Sequence, residues 1–232
     1  MTRLRKFIGG FTAFEKALWI LSVILITASF IIFDRSGYLT LTASLIGVTS
    51  LILNAKGNPA GQALMIIFSI LYGIISLSFS YYGEMITYLG MTGPMAVLAL
   101  ISWLRNPYGN GRSEVKVNRL KAAEVVFMCV LTVAVTAVFY FVLLYFDTAN
   151  MIPSTISVTT SFLAVYLTFR RSAFFPLAYA ANDIVLIVLW TLATKENIGY
   201  LSVVFCFVVF FVNDFYGFIS WSKMKRRQES GG

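Results

Sequence analysis

Long apolar runs separated by short polar breaks occupy most of the chain. Most of the runs approach the ~20 residues that an α-helix needs to cross a bilayer. None of them alternates apolar and polar residues with a period of two, as the strands of a membrane barrel do. The pattern therefore predicts an all-α integral membrane protein with eight transmembrane helices. The runs are Ala17–Phe33, Leu39–Asn54, Ala60–Ser80, Met85–Leu104, Lys121–Phe146, Ile152–Phe169, Phe174–Ala193 and Ile198–Ser222.

The distribution of basic residues supports this helix count. If the N terminus is cytoplasmic and eight helices alternate in direction, 16 of the 18 Lys and Arg residues fall on the cytoplasmic side. Only Arg35 and Lys195 then lie outside, which is the bias that short cytoplasmic loops show. With one helix more or fewer, the basic residues would no longer be concentrated on one side of the membrane. We therefore predict a multi-pass protein of a bacterial-type cytoplasmic membrane with both termini in the cytoplasm.

Composition excludes several classes of function. Only 12% of the 232 residues are charged and 59% are hydrophobic, far from the roughly 25% charged of a soluble domain. The net charge of +8 is interpreted as an orientation signal that also attracts anionic membrane lipids, since no nucleic-acid-binding motif is present. Cys129 and Cys206 lie in mid-helix and His is missing from the sequence, which argues against disulfides and Cys/His metal sites. A phosphate-binding loop and a recognisable nucleophile–base pair are also lacking, so we predict no enzyme and no cofactor.

The segment 105–121 is the one long connection, and it divides the helices four and four. Each half contains a set of three apolar runs with the same order of polar features. A basic residue follows the first run, an acidic residue (Glu84 or Glu196) lies near the break after the second run, and the third run ends in Ser-Trp followed by a basic residue. We interpret the two triplets as a diverged duplication, although chance similarity is the alternative. The linker helix lets both triplets begin on the same side, so the repeats would be parallel. The predicted division is an N terminus with an extra helix (1–38), a first repeat (39–104), a loop and linker (105–151), a second repeat (152–222) and a basic tail (223–232).

Polar side chains within the last two apolar runs are the candidate binding residues. A carboxylate at the bilayer centre costs about 2.5–3.5 kcal/mol on insertion scales, so an aspartate there should face a cavity or a partner. The alternative role is interhelical hydrogen bonding. The candidates are Tyr179, Asn182, Asp183 and Trp190 in the first run, and Asn213, Asp214 and Tyr216 in the second.

The residue types in the central part of the apolar runs also restrict which class of solute can bind. Since Lys and Arg are missing from the central part of every run, a phosphorylated solute would find no countercharge. A neutral or cationic, non-phosphorylated small molecule suits the amides, carboxylates and aromatic rings better. Trp103 and Trp221 each lie beside a base at a helix end, where a role in an interfacial belt is the default and a gate or ligand contact is the alternative. Pro94 predicts a kink, and with Gly90 and Gly93 it suits a hinge.

The motif N-x-x-Y-G-x-x-x-W, formed by Asn213, Tyr216, Gly217 and Trp221, resembles the signature of the Pnu-type vitamin transporter family. The segments AKGN, YYGEM and GPM…SWLRN extend the resemblance over nearly the whole chain. It implies a full-length SWEET-like fold, with an extra first helix and a 3+1+3 order, that carries nicotinamide riboside by facilitated diffusion. Asn182, Asp183, Asn213 and Tyr216 would then hold the ribose or amide groups, and Tyr179 and Trp190 would flank the ring.

Two departures from the family pattern leave other functions open. The region before Asn182 reads FFPLAYAAND instead of carrying a W-x-x-W pair, and Ala96 replaces an expected Gln. Relatives that carry thiamine, riboflavin or deoxynucleosides are therefore alternatives. A proton-coupled transporter that uses Asp183 or Asp214 as a relay and a non-transporting sensor or scaffold are two more. The sequence leaves open whether the protein forms a homo-oligomer.

Overall fold

The computed structural model of the protein describes residues 10–78, 81–109, 114–148 and 150–231. Within these ranges, eight helices are long and apolar enough to cross a membrane. The prediction of an all-helical membrane protein with eight spanning helices is therefore confirmed. The helices are α1 (Ala13–Phe33), α2 (Tyr38–Ala55), α3 (Pro59–Ser78), α4 (Tyr82–Arg105), α5 (Ala122–Tyr145), α6 (Met151–Phe169), α7 (Phe175–Ala193) and α8 (Leu201–Ser230).

Helices α1 and α8 extend furthest beyond the predicted apolar runs, because polar contacts stabilise their ends. Helix α1 begins at Ala13 because Thr12 and Glu15 form a capping box, in which each side chain accepts a hydrogen bond from the other residue's backbone N–H. Helix α8 continues to Ser230, since Gln228 accepts from the backbone N–H of Val117 at 2.8 Å. The basic tail is therefore helical and docks on the long connection.

Helix α4 changes its hydrogen-bond pattern near the predicted kink. Residues Tyr88–Thr92 form a π-helical turn, and the Gly93 N–H donates to the Tyr88 carbonyl. Pro94 follows in the first turn of the next α-helical segment, where its missing N–H costs least. Such π turns concentrate at functional sites.

Six of the helices form a closed ring. Each contacts the next in the order α2, α3, α4, α6, α7, α8, and α8 contacts α2 again. Helix α1 lies outside the ring against α2 and α8, and α5 lies outside it against α6. Most of the α5 surface is exposed apolar side chain, such as Val126, Val130 and Val133, as expected for a helix that mainly contacts lipid. The ring interior is thus the place where polar groups avoid the hydrocarbon.

One end of the bundle collects the long connection and most of the charges, and we call it the basic end. The Val115 N–H donates to the Gly57 carbonyl at 2.9 Å, and the Asn118 N–H donates to the Arg171 carbonyl at 3.0 Å. Segment 114–121 therefore bridges the α2–α3 and α6–α7 turns. Among the described Lys and Arg residues, only Arg35 and Lys195 follow helix ends at the opposite side. Arg3, Arg5, Lys6 and Arg112, which were assigned to the cytoplasmic side, lie outside the described residues, as does Ser80.

Candidate functional site

The two buried aspartates of α7 and α8 face each other inside the ring. Asp183 and Asp214 are 4% and 5% exposed, and their carboxyl groups lie within hydrogen-bonding reach of one another. Tyr88, which comes from α4 across the ring, lies close to Asp183, so the pair faces the ring interior. The Asp183 Oδ2 atom has no hydrogen-bond partner among the described residues. Two carboxylates this close repel each other when both are ionised, so the pair favours a proton or a cation beside it.

Tyr179 lies next to this carboxyl pair. It comes one turn before Asp183 on the same face of α7 and is near both carboxyl groups. Its ring meets the Phe175 ring edge-on, with the centroids 6.2 Å apart. Unlike the two aspartates, Tyr179 is only partly buried. An aromatic face thus adjoins the carboxyl pair on the side of the basic end.

Asn182 is buried beside Asp183 but points towards α6. Its Oδ1 atom accepts hydrogen bonds from the Thr160 hydroxyl at 2.8 Å and the Ser161 hydroxyl at 3.0 Å. Both lone pairs of the amide oxygen are therefore used within the protein. A solute would meet the NH₂ group of Asn182, which is a donor.

The structure turns Asn213 and Tyr216 towards α1 instead of towards Asn182. The Asn213 Nδ2 donates to the Ser22 hydroxyl at 2.9 Å, and the Tyr216 hydroxyl donates to Glu15 Oε1 at 3.0 Å. Successive helical residues differ by about 100° in direction, so Asp214 faces the ring interior while Asn213 faces the outer helix. The four polar side chains that the hypothesis grouped around a solute thus divide into two sets.

Trp190 belongs to an aromatic layer on the side away from the basic end. The indole is fully buried and donates to the Tyr72 hydroxyl at 2.5 Å. Its ring centroid lies 5.0 Å from that of Tyr81 and 5.7 Å from that of Tyr200. Burial, with a smaller contribution from Glu196, raises the pKa of Tyr81 to about 12, so this phenol stays neutral at physiological pH. This aromatic layer covers the ring interior on the side of the carboxyl pair that is away from the basic end.

Trp103 and Trp221 close the opposite side. Both indoles are fully buried, and their ring centroids are 5.3 Å apart. Phe175 packs edge-on against each of them, at 6.0 and 4.7 Å. The expectation of an interfacial belt is wrong for both residues, because the ring of helices brings their faces together in the protein centre and away from lipid.

Matching hydrogen bonds hold these two tryptophans to the ends of other helices. Trp103 Nε1 donates to the Thr168 carbonyl at 2.9 Å, and Trp221 Nε1 donates to the Asn54 carbonyl at 2.7 Å. The preceding serines, Ser102 and Ser220, donate to the next carbonyls, those of Phe169 and Ala55. The Ser-Trp pairs of α4 and α8 therefore make equivalent contacts with α6 and α2. We call these contacts the tryptophan latch.

Sequence reasoning missed Glu84, which it noted only as an acidic residue near a polar break. The side chain is 1% exposed and lies in the first turn of α4. A signal was nonetheless available, because Glu84, Thr87 and Tyr88 follow the spacing i, i+3, i+4 of one helix face. All three residues are buried.

Comparison with known proteins agrees with these features. The model of a family described as nicotinamide mononucleotide transporter matches residues 37–223. The chain belongs to this family. A similar relative is the nicotinamide riboside transporter PnuC of Neisseria mucosa, with 26% identity over 228 residues that cover 96% of this chain and 86% of the relative. The fold is similar to the crystal structure of the vitamin B3 transporter PnuC, with a TM-score of 0.84, 24% identity and 97% of each chain covered.

Membership of this transporter family confirms the resemblance drawn from the N-x-x-Y-G-x-x-x-W motif. The protein is a multi-pass membrane transporter and not an enzyme. Two aromatic layers, the Trp190 layer and the tryptophan latch, lie on opposite sides of the ring interior. The carboxyl pair of Asp183 and Asp214 lies between these two aromatic layers.

Proposed function

We propose that the transporter carries nicotinamide riboside by facilitated diffusion with alternating access. The observation that carries this proposal is the pair of buried carboxyl groups, Asp183 and Asp214, which face the ring interior with one oxygen unpaired. Nicotinamide riboside has a permanently cationic pyridinium ring joined to a neutral sugar. A carboxyl pair offers the countercharge for such a ring, and the N. mucosa relative is named for this solute.

The charge distribution favours the riboside over the mononucleotide that the family description names. A phosphate monoester carries about −1.5 to −2 charges at neutral pH and is normally bound by Arg or Lys. In the described helices, Lys and Arg lie at or near helix ends and none lies beside Asp183. A phosphate next to two carboxyl groups would be repelled.

The residues around the carboxyl pair suggest how the solute is held. Asp183 and Asp214 would lie against the pyridinium ring, and Tyr179 would offer an aromatic face to it. The NH₂ group of Asn182 would donate to a sugar hydroxyl or to the carboxamide oxygen. Trp190 would cover the ring from the other side. Trp103 and Trp221 act in this proposal as a gate rather than as direct ligands, because both N–H groups are already bonded.

Asn213 and Tyr216 stay predicted binding residues that require a rearrangement. Their polar atoms are bonded to Ser22 and Glu15 of α1, so a solute contact needs movement of α1 or of these side chains. Of the side-chain polar atoms of these two residues, Asn213 Oδ1 alone lacks a hydrogen-bond partner among the described residues. In the proposed resting arrangement, both residues anchor α1 to α8.

The architecture of the proposed transporter is a parallel duplication, with α2–α4 as one repeat, α5 as the linker and α6–α8 as the other. The equivalent Ser-Trp contacts of the tryptophan latch support this assignment, since they relate α4 and α6 as they relate α8 and α2. We also propose that the basic end is cytoplasmic and that the membrane is the bacterial inner membrane. Rocking of the two repeats would open the site to each side in turn.

The direct test is uptake of labelled nicotinamide riboside into sealed proteoliposomes in the absence of any ion gradient. We expect equilibration that unlabelled nicotinamide riboside blocks and that nicotinamide mononucleotide, thiamine, riboflavin and deoxynucleosides do not. The variants Asp183→Asn and Asp214→Asn should lose this uptake, whereas Glu196→Gln, an exposed acid beyond α7, serves as the control. Uptake that requires a pH gradient would indicate proton-coupled transport instead of facilitated diffusion. Inhibition of uptake by another vitamin would indicate a different solute.

A further inference from the structure

Glu84 is a buried carboxyl group that the proposed binding site does not use. It is 1% exposed, and its Oε2 atom has no hydrogen-bond partner in the described structure. None of the four ion pairs between described residues includes it. An unpaired buried carboxyl group is costly in a membrane interior, so its retention needs a physical reason.

Other buried hydroxyls without hydrogen-bond partners lie on the same helix as this carboxyl group and on the two helices that α4 contacts. The Ser157 hydroxyl of α6 lies close enough to interact with it, although the two oxygens form no hydrogen bond of normal geometry. Each unpaired buried polar group costs about 1–3 kcal/mol, and native proteins contain few of them. In the described part of α3, α4 and α6 there are five such hydroxyls, each at most 3% exposed: Ser69, Ser76, Thr87, Thr92 and Ser157.

Glu84 and four of these hydroxyls lie on α3 and α4, the wall of the ring opposite α7 and α8 with their Asp183–Asp214 pair. Tyr88 links the two, because it lies one turn after Glu84 on the same face of α4 and is near both Glu84 and Asp183. The Tyr88 ring also packs on Tyr72 with the centroids 4.4 Å apart. Polar groups thus continue from the first turn of α4 to the carboxyl pair, through the part of the ring away from the basic end.

The chemistry of this wall fits a cationic nucleoside. A carboxylate supplies one negative charge, and the hydroxyls of Thr87 and Ser157 can donate to or accept from sugar hydroxyls. Tyr72 and Tyr88 offer aromatic surface beside the carboxylate. Lys195 and Arg35 follow the helix ends on this side of the bundle, but neither is paired with Glu84.

We propose that Glu84 is a second carboxylate site for the cationic ring, on the side of the ring away from the basic end, which receives the solute before it reaches Asp183 and Asp214. This inference rests on the proposed function, in which the transported molecule is a cationic nucleoside. Glu84 then selects for positive charge at the outer part of the path. The hydroxyls of Thr87 and Ser157 hydrogen-bond the sugar as it moves inward.

The test compares two solutes that differ mainly in charge. Nicotinamide riboside is cationic, whereas the same nucleoside with a 1,4-dihydropyridine ring is neutral. For Glu84→Gln in proteoliposomes we expect kcat/KM for the cation to fall about tenfold, the effect of ~1.4 kcal/mol, while kcat/KM for the neutral nucleoside changes less than about twofold. Glu229→Gln, an exposed acid at the basic end of the bundle, is the matched control, and it should leave both values unchanged.

Three results would overturn the inference. Unchanged transport of the cation by Glu84→Gln would show that the charge is not used. An equal loss for both solutes would show that Glu84 supports the fold rather than the solute. If the Gln variant does not fold, Glu84→Asp keeps the charge and shortens the side chain, and an unchanged KM for the cation in that variant would also contradict the assignment.

The same experiment separates this inference from the proposed function. Failure of the wild-type protein to transport nicotinamide riboside would refute the proposed function itself. Loss of uptake in Asp183→Asn with full uptake of the cation in Glu84→Gln would refute only the role of Glu84. Loss of uptake in Asp183→Asn, and in Glu84→Gln a fall of about tenfold in kcat/KM for the cation with the neutral nucleoside still transported, is the expected outcome.

Discussion

The tryptophan latch predicts a measurable shift in access when it is weakened. Replacing Trp103 and Trp221 by Phe removes two N–H groups that donate to the Thr168 and Asn54 carbonyls at 2.9 and 2.7 Å. In the proposed mechanism, the two repeats separate when the basic end opens, so these bonds would exist only while that end is closed. The double variant should therefore favour the open arrangement.

The size of the effect follows from the partners that the carbonyls keep. The Asn54 carbonyl also accepts from the Gly57 N–H at 2.9 Å, and the Thr168 carbonyl accepts from the Arg171 N–H at 3.0 Å. Neither carbonyl is left unpaired, so each lost bond is worth about 0.5–1.5 kcal/mol and not the larger penalty of an orphaned group. At about 1 kcal/mol for each bond, the double variant changes the ratio of open to closed protein roughly thirtyfold.

Labelling of a single cysteine measures this ratio. Tyr179→Cys, in a background with Cys129 and Cys206 replaced by Ala, places a thiol directly inside the tryptophan latch next to Phe175. A charged maleimide added from the side of the basic end should react about thirtyfold faster in the double Phe variant, because the rate follows the open fraction.

Trp19→Phe is the matched control for the same substitution. Its indole lies on the outer helix α1 and donates to the Thr49 hydroxyl of α2 at 3.2 Å, away from the tryptophan latch, so its loss should not change the labelling rate. A double Phe variant with a lower melting temperature and an unchanged labelling rate would refute the gate and leave the tryptophan latch a purely structural contact.

Three other experiments test separate parts of the structure. Asp183→Asn should reduce the initial rate of nicotinamide riboside uptake at least tenfold, which corresponds to about 1.4 kcal/mol or more. The thermal stability should not fall, because the substitution removes an unpaired buried carboxyl oxygen. A lower melting temperature would contradict this reasoning. A double-mutant cycle on Glu15→Gln and Lys56→Met should show a coupling energy of about 0.5 kcal/mol or more in thermal unfolding. The two side chains form an ion pair at 3.0 Å, and the Glu15 side chain is only 5% exposed. A coupling energy of zero would rule out a stabilising role for this pair. Gly61→Ala should reduce the yield of folded protein, since its Cβ would lie 2.8 Å from the Asn54 backbone nitrogen, and normal yield and melting temperature would show that α2 and α3 can separate at that point.

The number of helices could be predicted from the sequence because the bilayer sets a simple requirement. Each span must be predominantly apolar over about 20 residues, and the basic residues must fall mainly on one side. The helix ends were harder to predict, since they depend on specific polar contacts. The capping box at Thr12 and the bond between Gln228 and Val117 lengthen α1 and α8 beyond their apolar runs.

The candidate site was predicted less completely, for a geometric reason. Hydropathy marks a buried polar residue but does not say which neighbouring helix it faces. A rotation of α8 by about one residue, or 100°, decides whether Asn213 or Asp214 faces the ring interior. Glu84 was missed because a carboxylate in the first turn of a helix looks like a loop residue until the neighbouring helix covers it.

The sequence by itself determined the class of the protein, its eight spans and the polar residues that the membrane interior must accommodate. Its motif also indicated the transporter family, because a motif of residue types at fixed spacing can be recognised without a structure. Only the tertiary structure decided which of these residues meet. Asp183 and Asp214 meet, and Trp103 and Trp221 meet, because a closed ring brings α7 beside α8 and the ends of α4 and α8 together. Such contacts depend on helix order and rotation around the ring, and the composition of a single helix contains neither.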